Sequence, residues 1–274
     1  MRCYDKYHLM IYIITLSGKK DGKGKKFEGT EKYNIQWPGQ AQKVIKMTTK
    51  CDCNQCELRT AFFQSFSEDE LSVFCEEKRE IPYSRGDIIF REGEEIRYFS
   101  YLKSGLVKLY KSDATGKDQI ITIACPFDFV SLLGIFSETH HTYSVSVLED
   151  SVLCCIDIHR MKEIALKNGL FSMNLMERLG EVSNKIILES LEIRKRNTHG
   201  KVAYILLKFS KGIYQNLVFD LPVSRREIAE NIGMTTEGVI RTLSEFRKEK
   251  LIRINGREIE ILDVGALERI SSYG

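Results

Sequence analysis

The chain has 274 residues, enough for two domains with a core each. Its 43% hydrophobic content, 29% charged residues and four prolines exclude disorder over most of its length, and the lack of any 18-residue apolar run excludes a membrane-spanning helix. The formal net charge of +3 is segregated: residues 1–50 carry 11 basic and 4 acidic side chains, residues 194–274 carry 15 and 10, and the segment between them carries 15 and 24. A basic C-terminal part beside an acidic middle marks a candidate polyanion binder.

The apolar stretch "HLMIYIITLSGKK" lacks an A-x-A-like cleavage site and runs into lysines, so the expected location is the cytoplasm. The eight cysteines then read as metal or redox groups, or as buried thiols, before disulfides. Residues 17–46 mix Gly, Lys and polar residues without an apolar period, and Met47 offers a second start. Residues 1–46 therefore read as a disordered or non-native extension.

From about 63 to 75, "FQSFSEDELSVFC" predicts a helix, with Ser67 as cap, Glu70 at the capping-box position and Leu71 and Phe74 on the apolar face. Between 79 and 157 the pattern changes to short strands of period near two, broken by Gly and charged turns, with no long helix between them. That spacing predicts a closed sandwich or roll rather than a parallel sheet. A short helix is expected at 159–168 and a long one at 172–196. In the long helix Leu175, Leu179, Val182, Ile186 and Ile193 form a seam suited to pairing with a second copy, and Ile187 and Leu191 widen it. Packing of that helix on its own domain is the alternative reading of the same stripe.

"SRREIAENIGMTTEGVIRTL", residues 224–243, holds two helical patterns hinged on Gly233. Ser224 and Glu227 make a capping box, Thr235 caps the second helix, and Ile228, Ile232, Val239, Leu243 and Phe246 face inward. This is a helix-turn-helix pattern. Thr236, Glu237, Ile240 and Arg241 are left on the exposed face, with Glu237 and Arg241 four apart and hence neighbours. Arg can grip guanine O6 and N7, and a carboxylate can accept from cytosine N4, so the pair can read a base step. Gly238 allows close approach at some cost in helix propensity. Arg225 and Thr235, at the two helix N-termini, are expected on phosphates. "LIRINGREIEIL" then places two alternating strands around Asn255-Gly256, a type I′ hairpin signal and the wing of a winged variant.

With the roll before them, these residues resemble the Crp-Fnr superfamily of bacterial transcription regulators, over roughly residues 58–265. "YSRGDIIFREGE", "YFSYLKSGLVKLYKSDATGKDQIITI" and "FDFVSLLGIF" follow the family's sensor half in order. The resemblance implies an α+β chain: an N-terminal antiparallel β-roll like the cyclic-nucleotide-binding domains (residues 47–171), a dimerisation helix (172–196) and a winged helix-turn-helix (197–274). It further implies a homodimer on a palindromic double-stranded DNA site, action with RNA polymerase, no enzymatic activity and no membrane partner. The contrasting reading is a cyclic-nucleotide-binding-like scaffold that meets only proteins.

The signal stays open. Relatives that bind cyclic AMP hold its phosphate with an Arg-Ser pair and a Glu; by order those positions fall near Thr142-Tyr143 and Leu132, which leaves the phosphodiester without a guanidinium. Cys51, Cys53 and Cys56 supply thiolates within six residues, and resemblance to the Fnr branch adds Cys154 as a fourth ligand for an iron-sulfur cluster. That branch has a third Cys separated by five residues from its C-x2-C, where Phe62 stands here, so Cys51 would have to substitute. Inert thiols, zinc or other redox use are the alternatives for the same cysteines. His140, His141 and His159 are candidate haem ligands on the same terms, or solvated loop residues.

Overall fold

The computed structural model describes residues 66–114 and 116–273. The N-terminal extension and Cys51, Cys53 and Cys56 lie outside these residues, as does the capping side chain expected of Glu70. Helix α1 (Glu68–Glu77) starts after Ser67, whose carbonyl accepts the Leu71 N–H at 2.9 Å. Leu71 and Phe74 face the core as their spacing requires.

The roll consists of β1 (Arg79–Tyr83), β2 (Ile88–Phe90), β3 (Tyr98–Ser112), β4 (Asp118–Ala124) and β5 (Ser144–Asp157), all antiparallel, in the order β1-β5-β3-β4 with β2 also on β5. Where the sequence predicts only short strands, β3 and β5 run 15 and 14 residues. They stay one ladder because the pairing shifts register between Leu102 and Val107, bending the strands instead of ending them. Gly105 makes that bend. It has φ +92°, and a Cβ on it would meet Ser151 Oγ at 2.2 Å and the Asp150 carbonyl at 2.4 Å.

Alternation along β3 and β4 then has two destinations. Val107, Leu109 and Ala124 point into the roll with Val130, Val145 and Leu153, while Leu106, Tyr110, Ile120 and Ile123 point outward into a second apolar core. That outer core is completed by the C-terminal unit through Leu206, Phe209, Ile228 and Val239. The two parts thus share a core, where the sequence predicts one each. Strands apolar on both faces read as near-continuous hydrophobic runs, and "GLVKLY" is such a run with one lysine in it.

Helix α2 (Ile158–Lys167) is capped by the Asp157 carboxylate, which accepts from the His159 and Arg160 N–H groups. Asn168 caps α3 (Gly169–Lys195) by accepting from Phe171 N–H at 3.0 Å. Much of the apolar stripe of α3 packs on the chain's own cores, the alternative reading of its sequence. Leu175 is buried, Leu179 and Val182 pack on the α1–α2 core, and Ile193 enters the shared core. The face left open carries Met173 (60% exposed), Met176 (58%), Ile187 (56%) and Leu191 (46%). The stripe wraps wide enough to serve both surfaces, so spacing alone could not say which edge met the roll.

After α3 come α4 (Thr198–Leu207), a π-helical turn (Lys208–Tyr214), β6 (Val218–Asp220), α5 (Arg225–Ile232), α6 (Thr236–Lys248), β7 (Ile252–Asn255), β8 (Glu258–Ile261) and α7 (Val264–Tyr273). The small sheet has the order β6-β8-β7. Asn255 pairs with Glu258, so the hairpin loop is Gly256-Arg257, one residue later than predicted. Only Gly256 of the two has positive φ (61°), which fits type II′ rather than I′.

Replacing Gly105 by Ala forces a side chain into backbone at a left-handed φ, where strain of 1–3 kcal/mol is usual. Urea unfolding of Gly105→Ala should show a loss of about 2 kcal/mol or more, with Gly116→Ala, at an open turn, losing less.

Candidate DNA-binding interface

Both helices of the helix-turn-helix begin as their caps dictate. Ser224 Oγ accepts from Glu227 N–H at 3.1 Å while Glu227 Oε2 accepts from Ser224 N–H at 2.8 Å, closing the reciprocal box. Gly233, at φ +63°, ends α5 in the left-handed conformation. Thr235 Oγ1 accepts from Gly238 N–H at 3.1 Å and starts α6. A Cβ on Gly238 would lie 3.1 Å from that same Oγ1 and 3.3 Å from Met234 Cε. The glycine therefore protects the cap, a local reason beyond the close approach to DNA that the sequence proposes.

Val239, Leu243 and Phe246 bury one side of α6. Glu237, Ile240 and Arg241 stand exposed on the other, with Thr235 exposed and Thr236 half-buried at its start. No ion pair within 4.0 Å engages Glu237 or Arg241 among the described residues, so both heads are available to a ligand. Arg225 occupies the first turn of α5, half-buried, its guanidinium 3.5 Å from the Gly256 carbonyl at the wing tip. Burial lowers its pKa from the usual arginine range. The wing is tied back by Arg257, which donates to the carbonyls of Leu221 and Pro222 at 3.1 and 3.2 Å.

The contact between this unit and the roll has no signal in the local pattern. Lys108, the lone lysine of the "GLVKLY" run, reaches Glu227 Oε1 at 2.8 Å, the carboxylate oxygen that the capping box leaves free. Arg85 donates to the Pro222 carbonyl at 2.7 Å, and Tyr214 hydrogen-bonds Glu149. Burial alone would raise the Glu227 pKa, but Lys108 and the Ser224 N–H outweigh it and hold the carboxyl below its ordinary value.

Of the proposed metal ligands only Cys154 is among the described residues. It is fully buried, donates toward Glu80 Oε1 at 3.6 Å, and burial pushes its thiol up to about 12. Without a ligand those surroundings keep the thiol protonated. Cys155, on the opposite face, lies 3.4 Å from Ser100 Oγ. Cys75 on α1 is disulfide-bonded, against the expectation of thiols. The three histidines do not converge. His140 and His159 are exposed, and His141 is buried, stacked on Phe90 at 3.6 Å between ring centroids. No group of three or more metal-ligating side chains occurs among the described residues.

Comparisons with known proteins agree with this geometry. Residues 80–168 match the family model of the cyclic nucleotide-binding domain, and residues 200–270 that of the Crp-like helix-turn-helix domain. The chain is 26% identical over 226 residues to the transcriptional activator protein Anr of Pseudomonas protegens, covering 80% of this chain and 92% of that protein. It is 26% identical to the fumarate and nitrate reduction regulatory protein of Vibrio cholerae, covering 80% and 89%. Among solved structures, FixK2 of Bradyrhizobium japonicum superposes with TM-score 0.62 at 22% identity, over 70% of this chain and 96% of that one. A CRP-family regulator of Thermus thermophilus gives 0.61 at 21%, over 70% and 96%.

Because the Glu227 carboxyl sits below its unfolded value, the Lys108 pair contributes fully above the ordinary carboxyl range, about 4.3, and is lost as pH falls through the depressed folded value. Lys108→Met should cost about 1 to 2 kcal/mol at pH 7, measured by urea unfolding, and the difference from the unsubstituted protein should shrink as the pH drops below about 4.

A roll matched by one family model, a winged helix-turn-helix matched by the other, and relatives aligned along both identify the chain as a member of the Crp-Fnr superfamily of DNA-binding transcription regulators.

Proposed function

We propose that this regulator binds a palindromic site as a homodimer, each copy laying α6 in a major groove, under control of a signal received by the N-terminal unit. In this reading residues 47–171 are the sensor, 172–196 the pairing helix and 197–274 the reader, and the dimer acts in the cytoplasm with RNA polymerase. The observation that carries it is the exposed Glu237–Ile240–Arg241 face on the first turns of a capped helix whose other side is buried. Arg241 would grip a guanine, Glu237 accept from a cytosine, and Ile240 supply apolar contact between them. Thr235 and Thr236 at the α6 N-terminus and Arg225 at that of α5 would hold phosphates.

Pairing would use the open face of α3. Met173, Met176, Ile187 and Leu191 project from one side at steps of three, eleven and four, and two copies would bury them mutually. About 25 cal/mol per Å² of apolar surface removed from water makes such a face costly to leave bare. Cyclic AMP is disfavoured as the signal. Leu132 is buried where a glutamate is needed, and Tyr143 is buried with its hydroxyl donating to the Val130 carbonyl at 3.0 Å, so neither position supplies a cation to a phosphate.

Arg241→Ala should weaken binding to the preferred duplex by about 1 to 3 kcal/mol in mobility-shift titrations and leave a scrambled duplex unchanged; equal losses on both would contradict base reading. Ile187→Asp should convert the dimer to monomer in sedimentation equilibrium and abolish cooperative occupation of the two half-sites.

A further inference from the structure

The roll contains a pocket of about 290 Å³ that the regulator reading leaves unused. Tyr83 from β1, Phe90 from β2, Tyr98 from β3 and His141 line it together with Ser100 and Cys155, whose Oγ and Sγ lie 3.4 Å apart. Leu132, Thr142 and Tyr143, the positions that answer to a cyclic phosphate, do not line it, and Tyr143 packs behind its Phe90 at 5.8 Å between ring centroids.

Its charge is one-sided. Glu94, Glu95 and Arg97 stand at the pocket, and Arg97 Nε is committed to Glu95 at 2.9 Å. Glu94 has no ion-pair partner within 4.0 Å among the described residues, and its backbone is fixed, its carbonyl accepting from His141 N–H at 2.8 Å. Apart from Arg97 no Lys or Arg lines the pocket, His141 is stacked on Phe90 at 3.6 Å between ring centroids, and burial raises the Tyr83 hydroxyl out of reach of ionisation. An anion would find only Arg97, already paired through Nε with Glu95, and a neutral apolar molecule would leave the Glu94 carboxylate unused. Aromatic faces with one unpaired carboxylate are the chemistry that recognises ammonium groups.

We propose that this pocket binds a small organic cation, an amine or quaternary ammonium on a compact apolar body, with its charge on Glu94 and its body against Tyr83, Phe90 and Tyr98. The inference deepens the regulator reading, since such a cation would be the signal delivered to the roll. The strands that wall the pocket, β1 and β3, both pair with β5, and the outer face of β3 carries Leu106, Lys108 and Tyr110 to the DNA-binding unit.

The test is calorimetric titration of the full chain with phenethylamine and with tetramethylammonium, using phenylacetate as the same ring with opposite charge. The expected result is saturable one-to-one binding of at least one of the two cations and none of phenylacetate. Glu94→Gln should weaken that binding about tenfold or more, and Glu138→Gln, an exposed carboxylate outside the pocket lining, should leave it unchanged. Circular dichroism of the variants confirms folding, and Tyr98→Phe, which keeps the ring, should retain binding. Failure of both cations, equal binding of phenylacetate, or an unchanged affinity in Glu94→Gln would overturn the proposal. Mobility shift of the unsubstituted protein on duplex DNA is read separately, so an empty pocket would leave the regulator reading standing.

Discussion

The architecture depends on strands that are apolar on both faces. Residues of β3 and β4 alternate between the interior of the roll and an outer row formed by Leu106, Tyr110, Ile120 and Ile123, and the DNA-binding unit covers that row. Each such side chain is worth roughly 1.5 to 3 kcal/mol when removed from water, whereas a partly screened ion pair or hydrogen bond contributes about 1. Apolar burial therefore holds the two parts together, and Lys108–Glu227, Arg85–Pro222 and Tyr214–Glu149 fix the angle at which they meet.

Coupling of sensing to DNA binding then has two physical routes. One runs along α3, which joins the units in sequence and carries an exposed apolar face. The other passes directly through β3, whose alternate residues touch the roll interior on one side and α5 on the other. A ligand shifts this arrangement only by its unequal affinity for two states. A packed strand shared by both compartments is the kind of element through which such a difference can be transmitted.

Features set by neighbouring residues were legible in the sequence. The capping box at Ser224, the left-handed Gly233, the cap at Thr235 and the exposed Glu237 and Arg241 all follow from chemistry within four residues. The roll as a class was legible from period-two patterning, but the length of β3 and β5 was not, because Gly105 bends a strand where a glycine in a pattern reads as a break. Whether the α3 stripe meets the roll or a second copy stays open in the sequence, because the stripe is wide and period fixes a face only to within a residue or so. Segment 198–223 gave no pattern, and its π-helical turn has no local signature. Lys108 was invisible as a contact because its partner is 119 residues away.

The carbonyl of Pro222 has a mechanical consequence. It accepts from Arg257, which belongs to the wing, and from Arg85, which belongs to the roll. A swing of the reader away from the sensor would carry Pro222 and Arg257 along as one piece, leaving Arg85 behind. At Pro222 the parting line falls on the Arg85 hydrogen bond, and the same swing would have to break Lys108–Glu227 and Tyr214–Glu149 and uncover the shared apolar row.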